Sequence, residues 1–207
     1  MPVENFDHKA LNWDANPARV ERARVVAEAI RSNVPLSPQM HALEYGCGTG
    51  LLSFALQPHL GKITLVDSST GMLAVLNQKI LSSGVNNMQS LQLDLAADAQ
   101  PDTTWDLVYS LMTLHHIPDT LQILSAFYQL LSPGGYLCIA DLDEEDGSFH
   151  DPDVTSVHHG FNRDVLGQQL SAAGFHSVRF STVYQMEKMM ATQISKKFPV
   201  FLMVAKK

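Results

Sequence analysis

The sequence has few cysteines, a deficit of basic residues and no long apolar run. Cys47 and Cys138 are the only cysteines, which gives neither a disulfide framework nor a thiolate metal site and favours a reducing compartment. The formal net charge is -7, and no run of Lys and Arg exceeds two residues, so no basic field is available for nucleic acid. No apolar stretch approaches the roughly 18 residues of a membrane span. The first residues carry charges where a signal peptide has an apolar core, so we expect a cytoplasmic protein.

The sequence contains enough hydrophobic residues to form one large core. With 207 residues and 45% hydrophobic content, the chain suits a single domain rather than two. No internal repeat, low-complexity tract or linker divides it. We therefore predict one domain spanning residues 1–207.

Apolar periodicity and turn residues predict an alternation of strands and helices. The predicted helices span residues 17–31, 49–58, 70–83, 118–131 and 163–173. The predicted strands span residues 41–46, 62–67, 88–94, 105–110, 135–142, 176–184 and 198–205. Near-continuous apolar strands alternating with helices indicate an α/β fold, with a mostly parallel sheet covered on both faces. No helical pattern separates the last two strands, which predicts an antiparallel hairpin.

A glycine-rich turn follows the first predicted strand, in the stretch ALEYGCGTG. Gly46, Gly48 and Gly50 open a helix, so bare backbone N–H groups and a helix N-terminus face whatever binds there. Asp67 ends the second strand, near the spacing at which an acid accepts hydrogen bonds from a ribose diol. The two features together predict a nucleotide-like ligand. A dinucleotide fingerprint would need a glycine in place of Leu51, and the Lys-Ser/Thr pair of a P-loop is absent.

This pattern resembles the first motif of the class I S-adenosylmethionine-dependent methyltransferases of small-molecule type, an acid, one residue, then GxGxG. The segments SLMTLHHIPD and LLSPGGYLCIAD, the terminal hairpin and the opening FDHKALNWD also resemble corresponding parts of that family. The resemblance covers roughly residues 6 to 205. It implies a Rossmann-like, doubly wound, seven-stranded and mostly parallel sheet with a C-terminal antiparallel hairpin. It also implies S-adenosylmethionine as cofactor and S-adenosylhomocysteine as product.

The resemblance carries the family's cofactor positions onto this chain. Asp67 corresponds to the acid that holds the ribose, and Asp94 to a contact with the adenine amino group. The positions implied to bind the cofactor are Glu44, Gly46, Cys47, Gly48, Gly50, Asp67, Ser68, Asp94, Leu95, Ser110 and Leu111. Residues 1–31 correspond to a segment that folds over the cofactor.

Histidines are the candidates for acid–base chemistry, because an oxygen or nitrogen acceptor can need a base near neutral pH. His115 follows the fourth strand and His158 follows the fifth, both on segments expected at the carboxyl edge of the sheet. We predict that one of them acts as a base or orients the acceptor. No HExxH or i, i+4 histidine pair fixes metal ligands, so no metal is predicted.

The acceptor is predicted to be a small molecule. After the fourth strand the chain has SLMT where amino-methylating nucleic-acid enzymes carry a D/N-P-P-Y/F motif, and no Pro-Cys nucleophile occurs. The polar stretch 143–160 is longer than an ordinary strand-to-helix loop, which predicts a lid over the acceptor. Two alternatives stay open: an NAD-dependent Rossmann oxidoreductase and a non-catalytic, S-adenosylmethionine-binding regulatory protein. The residues do not determine the oligomeric state.

Overall fold

Seven strands form one mixed sheet in this computed structural model. The structure describes residues 4–95, 97–150, 154, 157–189, 193 and 195–207, without the side chains of residues 4 and 5. The strands are β1 (His41–Tyr45), β2 (Lys62–Asp67), β3 (Met88–Gln92), β4 (Trp105–Leu111), β5 (Leu131–Leu142), β6 (His176–Met189) and β7 (Ser195–Lys206). Their order in the sheet is β3-β2-β1-β4-β5-β7-β6.

The first five strands run parallel, and the last two reverse direction. β1 pairs with β2 and β4, β2 with β3, and β4 with β5, all in parallel, whereas β7 runs antiparallel to both β5 and β6. This topology confirms the predicted fold class: a doubly wound α/β sheet with a C-terminal antiparallel hairpin.

The described part of the chain has six α-helices, two before β1 and four between strands, and short polar caps fix where several of them begin. The helices are α1 (Glu4–Lys9), α2 (Pro17–Asn33), α3 (Leu51–Leu56), α4 (Thr70–Ser83), α5 (Thr120–Leu130) and α6 (Arg163–Ala172). Asn16 caps α2 ahead of Pro17, and the Ser69 hydroxyl accepts the Met72 N–H at the start of α4. Asp119 caps α5, so this helix begins two residues later than the predicted Pro118.

The core lies on both faces of the sheet. Successive residues of β1 point to opposite sides, so Ala42 packs with α2, α3 and α4 while Leu43 packs with α5 and α6. Both residues are fully buried. Burial on both faces explains why the central strands are almost continuously apolar.

The carboxyl ends of β1, β2, β4 and β5 meet at one edge of the sheet, and the hairpin extends past that edge. Leu142, the last residue of β5, pairs with Val200, whereas β6 and β7 continue to pair as far as Met189 and Ser195. The predicted strand 176–184 is therefore longer in the structure. The tip of the hairpin overhangs the edge at which ligands bind in such sheets.

None of the described helices is long and apolar enough to cross a membrane.

Candidate functional site

A cavity of about 660 Å³ opens at the carboxyl edge of the sheet. Its floor comes from the ends of β1, β2 and β4, and its walls come from the N-terminal segment, the loop after β4, the segment after β5 and the hairpin tip. Cavities of this size hold drug-sized ligands. The chain thus brings segments distant in sequence to one ligand-sized space.

The three glycines of the loop after β1 have different roles. Gly46, Gly48 and Gly50 all have a positive φ, which other residues adopt at a cost. A Cβ at Gly46 would lie 2.2 Å from the Thr113 side chain, so this glycine is needed for packing. A Cβ at Gly48 would instead project between Met72 and Trp13, two residues that line the cavity, with no described atom closer than 3.9 Å. The absence of a side chain at Gly48 therefore leaves space between two residues of the cavity wall.

Asp67 lies at the end of β2, lines the cavity and is held by backbone donors. Its Oδ2 accepts the Gly48 N–H at 2.7 Å and its Oδ1 accepts the Ser69 N–H at 2.9 Å. Burial raises the pKa of Asp67, although the hydrogen bonds oppose that shift. The carboxylate is thus oriented before any ligand binds, which lowers the entropic cost of binding.

Glu44 lies beneath the glycine loop in a buried hydrogen-bond chain. The Ser53 hydroxyl bonds to the Glu44 carboxyl and lies 2.5 Å from the Tyr109 hydroxyl. Glu44 is 2% exposed, and burial raises its pKa to about 8, so it is mostly protonated at neutral pH.

The raised pKa of Glu44 predicts a pH-dependent stability. Between pH 4.5 and about 8 the folded protein holds a proton that the unfolded chain releases, so the free energy of unfolding falls as the pH rises through this window. The Glu44→Gln variant keeps a partner for Ser53 but cannot titrate. We expect its stability relative to wild type to increase by on the order of 1 kcal/mol per pH unit across the window, measured by urea unfolding. Parallel pH profiles for the two proteins would contradict the prediction.

The eleven predicted cofactor positions divide into those that line the cavity and those that do not. The predicted positions that line the cavity are Glu44, Gly46, Cys47, Asp67, Ser68, Asp94 and Leu111. The predicted positions that do not line it are Gly48, Gly50, Leu95 and Ser110. Leu95 and Ser110 are buried in the core, so the structure places them behind the cavity wall.

Two aspartates fasten the N-terminal segment over the glycine loop. Asp7 accepts hydrogen bonds from the Ser69 hydroxyl and the Gly71 N–H, at the start of α4. Asp14 accepts the Thr49 hydroxyl at 2.5 Å and forms an ion pair with Lys79 at 2.6 Å. These contacts hold Phe6 and Trp13 against the cavity, one face of which they form.

A buried carboxylate near the end of β5 orients His115, which follows β4, whereas Asp67 ends β2. The His115 Nδ1 lies 2.6 Å from the Asp141 Oδ1, and the His115 backbone N–H donates to Asp141 Oδ2. Asp141 is 0% and His115 is 1% exposed. Because an ionised carboxylate only accepts, the Nδ1 is the donor in this contact, and the Nε2 is the other nitrogen of the ring. No described residue bonds to that Nε2, so the pair has the geometry of a base for a ligand in the cavity.

Aromatic rings surround His115. The His116 ring lies 4.0 Å from that of His115, the His150 ring lies 5.1 Å away, and Phe6 packs edge-on against His116. Burial, with the nearby His115 and His150, lowers the pKa of His116, which keeps this ring neutral. The His116 Nδ1 is buried without a hydrogen-bond partner among the described residues. No group of three or more His, Cys, Asp or Glu in the described ranges could hold a metal ion.

His158, the other histidine predicted from sequence to be catalytic, is not brought to the cavity. Its Nε2 lies 2.9 Å from the Ile117 carbonyl oxygen, its ring packs on Phe161, and it does not line the cavity. This contact and the bond from the His158 backbone N–H to the His115 carbonyl oxygen, at 2.8 Å, tie His158 to the loop after β4. The geometry therefore favours His115 over His158.

The described part of segment 143–160 packs against the overhanging hairpin. The Lys188 Nζ donates to the Phe149 carbonyl at 2.9 Å, and the Phe149 and Phe198 rings are 5.2 Å apart. Phe149 and His150 line the cavity. Residues 151–153, 155 and 156 of the predicted lid lie outside the described residues.

Sequence reasoning missed several residues at the site. No motif in the sequence marks Asp141, which orients His115, or Arg22, which lines the cavity from α2. Met112 adopts a left-handed backbone with φ 55, directly after β4. No local signal marks this conformation, which is rare for a residue with a side chain and occurs at functional sites.

Comparisons with known proteins agree with this architecture. Residues 43–137 match a family model described as a methyltransferase domain. A ubiquinone biosynthesis O-methyltransferase of Xanthomonas campestris pv. campestris is 36% identical over 143 residues, which cover 66% of this chain and 58% of that protein. The chain spans less than two thirds of the length of several curated relatives that it matches.

Solved structures show the same fold over most of the chain. The DhpI-SAH complex matches with a TM-score of 0.72 and 24% identity, and covers 99% of this chain and 94% of that one. Phosphoethanolamine N-methyltransferase 2 of Haemonchus contortus, in complex with S-adenosyl-L-methionine, matches with a TM-score of 0.72 and 18% identity. That match covers 87% of this chain and 52% of the other.

Proposed function

We propose that this chain, which belongs to the class I S-adenosylmethionine-dependent methyltransferases, transfers a methyl group from S-adenosylmethionine to a small-molecule acceptor. One observation carries the proposal: Asp67, which accepts the Gly48 N–H of the glycine loop, lines the same cavity as His115, which Asp141 orients. The relatives named above are methyltransferases for small molecules. The NAD-dependent alternative is not favoured, because α3 begins at Leu51 where the dinucleotide fingerprint needs glycine.

The residues present fit the cofactor. Space beside Gly48 that a side chain would fill lies next to Asp67, whose carboxylate would hold the ribose, and Asp94 lines the same end for the adenine. When bound, the cofactor supplies an electrophilic methyl group. Phe6 and Trp13, fastened by Asp7 and Asp14, exclude water from this end.

The ribose assignment predicts a loss of cofactor affinity in Asp67→Ala. Removing a charged hydrogen-bond partner costs about 1.5 to 3 kcal/mol, so affinity for S-adenosylhomocysteine should fall roughly 10- to 150-fold in calorimetry. Asp106→Ala is the matched control, because Asp106 also accepts a backbone N–H, that of His41, at the other edge of the sheet. Unchanged affinity in folded Asp67→Ala would show that Asp67 does not hold the ribose.

His115 completes the chemistry from the side of the acceptor. As the acceptor atom gains a methyl group, it loses its proton to the His115 Nε2, and Asp141 stabilises the resulting imidazolium. The new bond from the acceptor atom to the methyl group would replace the bond from that group to the cofactor sulfur, so S-adenosylhomocysteine would be released and the proton would remain on His115. Proximity and a dry site supply most of the remaining acceleration, because such effects reach about 7 to 11 kcal/mol.

The proposal extends to the organisation of the whole chain. Residues 1–207 act as one domain in which residues 1–31 cover the cofactor and residues 143–160 act as a lid over the acceptor. Phe149 and His150 support the lid, because they wall the end near His115. The negative net charge supports a small acceptor rather than nucleic acid, and we place the protein in the cytoplasm.

Two measurements, made one after the other, test the proposed function. Calorimetry should detect S-adenosylhomocysteine binding and no NAD binding. Incubation with methyl-labelled S-adenosylmethionine and a metabolite extract should then transfer the label to a small molecule. Absence of S-adenosylhomocysteine binding would refute the assignment, and binding without transfer to any acceptor would favour the non-catalytic alternative.

A further inference from the structure

We propose that the methyl acceptor carries an anionic group, a carboxylate or a phosphate, and that Arg22 binds this group. The inference rests on the proposed function and names the chemical class of its substrate. It starts from a cation in the cavity wall that has no partner of opposite charge among the described residues.

Arg22 lacks, within the described part of the chain, the partner that a half-buried guanidinium needs. Its Nε is buried with no hydrogen-bond partner there, and its Nη1 lies 3.2 Å from the Met186 Sδ, a weak acceptor. Among the described residues no carboxylate lies within 4 Å of it. An arginine stays charged in proteins, and a charge held away from water without a partner is costly. The contacts of Arg22 are therefore incomplete without an anion.

In the described ranges, three other arginines have carboxylate partners, and Arg19, which also lines the cavity, donates to the Trp13 carbonyl oxygen at 3.1 Å. Arg24 pairs with Glu21, Arg31 with Glu28 and Arg163 with Asp143. Arg24 lies on the same helix as Arg22, two residues further on, and faces solvent. On α2, therefore, Arg24 has a carboxylate partner, whereas Arg22 on the cavity side has none among the described residues.

Arg22 lies at the acceptor end of the cavity. It contacts Met186 on β6, and the Asp141 carboxylate at the end of β5 acts on it electrostatically. Asp67 ends β2, three places away from β5 in the sheet, which is about 14 Å at the usual strand spacing. An anion on Arg22 would thus lie near the His115–Asp141 pair and away from the ribose end.

The charges of the cavity wall agree with an anionic acceptor. Lys9 and Arg19 line the cavity together with Arg22, although the chain as a whole carries a net charge of -7. A guanidinium binds carboxylate or phosphate through two parallel N–H···O bonds, which fix orientation as well as position. One such pair would hold the acceptor with its reacting atom toward the His115 Nε2.

The test is a titration with inorganic phosphate at constant ionic strength, with and without S-adenosylhomocysteine. Trp13 lines the cavity, so its fluorescence reports binding there. We expect a saturable response in wild type and in Arg24→Met, and at least a tenfold weaker affinity in Arg22→Met, which keeps the apolar stem of the side chain. Circular dichroism checks that each variant is folded. Equal phosphate affinity in Arg22→Met and wild type, or no saturable response in wild type, would overturn the proposal.

A second experiment tests whether Arg22 binds the acceptor or the carboxylate of the cofactor. Affinities for S-adenosylhomocysteine and for 5′-methylthioadenosine, which lacks the amino-acid part, are compared in wild type and Arg22→Met. We expect both affinities to be unchanged. A selective loss for S-adenosylhomocysteine would assign Arg22 to the cofactor and overturn the acceptor proposal. Failure of wild type to bind either nucleoside would refute the proposed function instead, while the phosphate titration still tests Arg22.

Discussion

The His115→Gln variant should lose roughly 10²- to 10⁴-fold in kcat, the range by which a positioned acid or base accelerates a reaction. Glutamine can still donate a hydrogen bond to Asp141, so the buried carboxylate keeps a partner and the fold is preserved. It cannot accept a proton near neutral pH. The measurement is formation of S-adenosylhomocysteine with the acceptor found by the label-transfer screen.

Comparing the effects on kcat, on KM and on cofactor affinity distinguishes a catalytic role of His115 from a structural one. Affinity for S-adenosylhomocysteine should be unchanged, and KM for the acceptor should change far less than kcat. Asp141→Asn should also lower kcat, because Asp141 positions His115 and stabilises its charged form.

His158→Gln is the matched control, since its ring bonds to the Ile117 carbonyl and lies outside the cavity. We expect little change in kcat. A loss equal to that of His115→Gln would support the role predicted for His158 from the sequence and remove the distinction drawn from the structure. Wild-type kcat in His115→Gln would refute the assignment of the base.

The Gly48→Val variant should lose cofactor binding, by at least about 100-fold in affinity for S-adenosylhomocysteine, or about 2.7 kcal/mol. The added side chain would project between Met72 and Trp13 into the space assigned to the cofactor. Calorimetry measures the affinity, and circular dichroism should show unchanged helix and strand content.

Backbone strain has to be separated from exclusion of the ligand. Gly48 has φ +52, and a non-glycine residue in this region costs roughly 1 to 2 kcal/mol of stability. Gly84 has φ +70 at the end of α4, and a Cβ added there would meet no described atom within 4 Å, so Gly84→Val carries strain without obstruction. We expect similar stability losses in the two variants and lost affinity in Gly48→Val alone. Tight binding by Gly48→Val would mean that the loop is only a turn.

The three glycines also illustrate how far sequence patterns reach. The pattern GxGxG after an apolar strand predicted the turn, and all three residues have positive φ. It could not distinguish Gly46, which packs on Thr113, from Gly48, where an added side chain would project between Met72 and Trp13 of the cavity wall. The distinction depends on β4, whose end brings Thr113 next to the loop across 67 residues of sequence.

The sequence by itself determined the local elements and their class. Strand 62–67 and helix 70–83 match the structure at both ends, because apolar periodicity, the Ser69 cap and Gly84 act within a few residues of one another. The alternation of elements was enough to predict a mostly parallel sheet, and the sequence placed Asp67 at the end of the second strand, where the structure has it.

Only the tertiary structure decided which side chains meet. His115 and Asp141 are 26 residues apart and touch because β4 and β5 pair in parallel, with Ser110 beside Ile139. Arg22 reaches the cavity because α2 packs near the hairpin, whose extension past the sheet follows from the register of β6 and β7. Strand order and register arise from packing of the whole core, whereas capping and periodicity are local, so a single sequence predicts the elements more readily than the contacts between them.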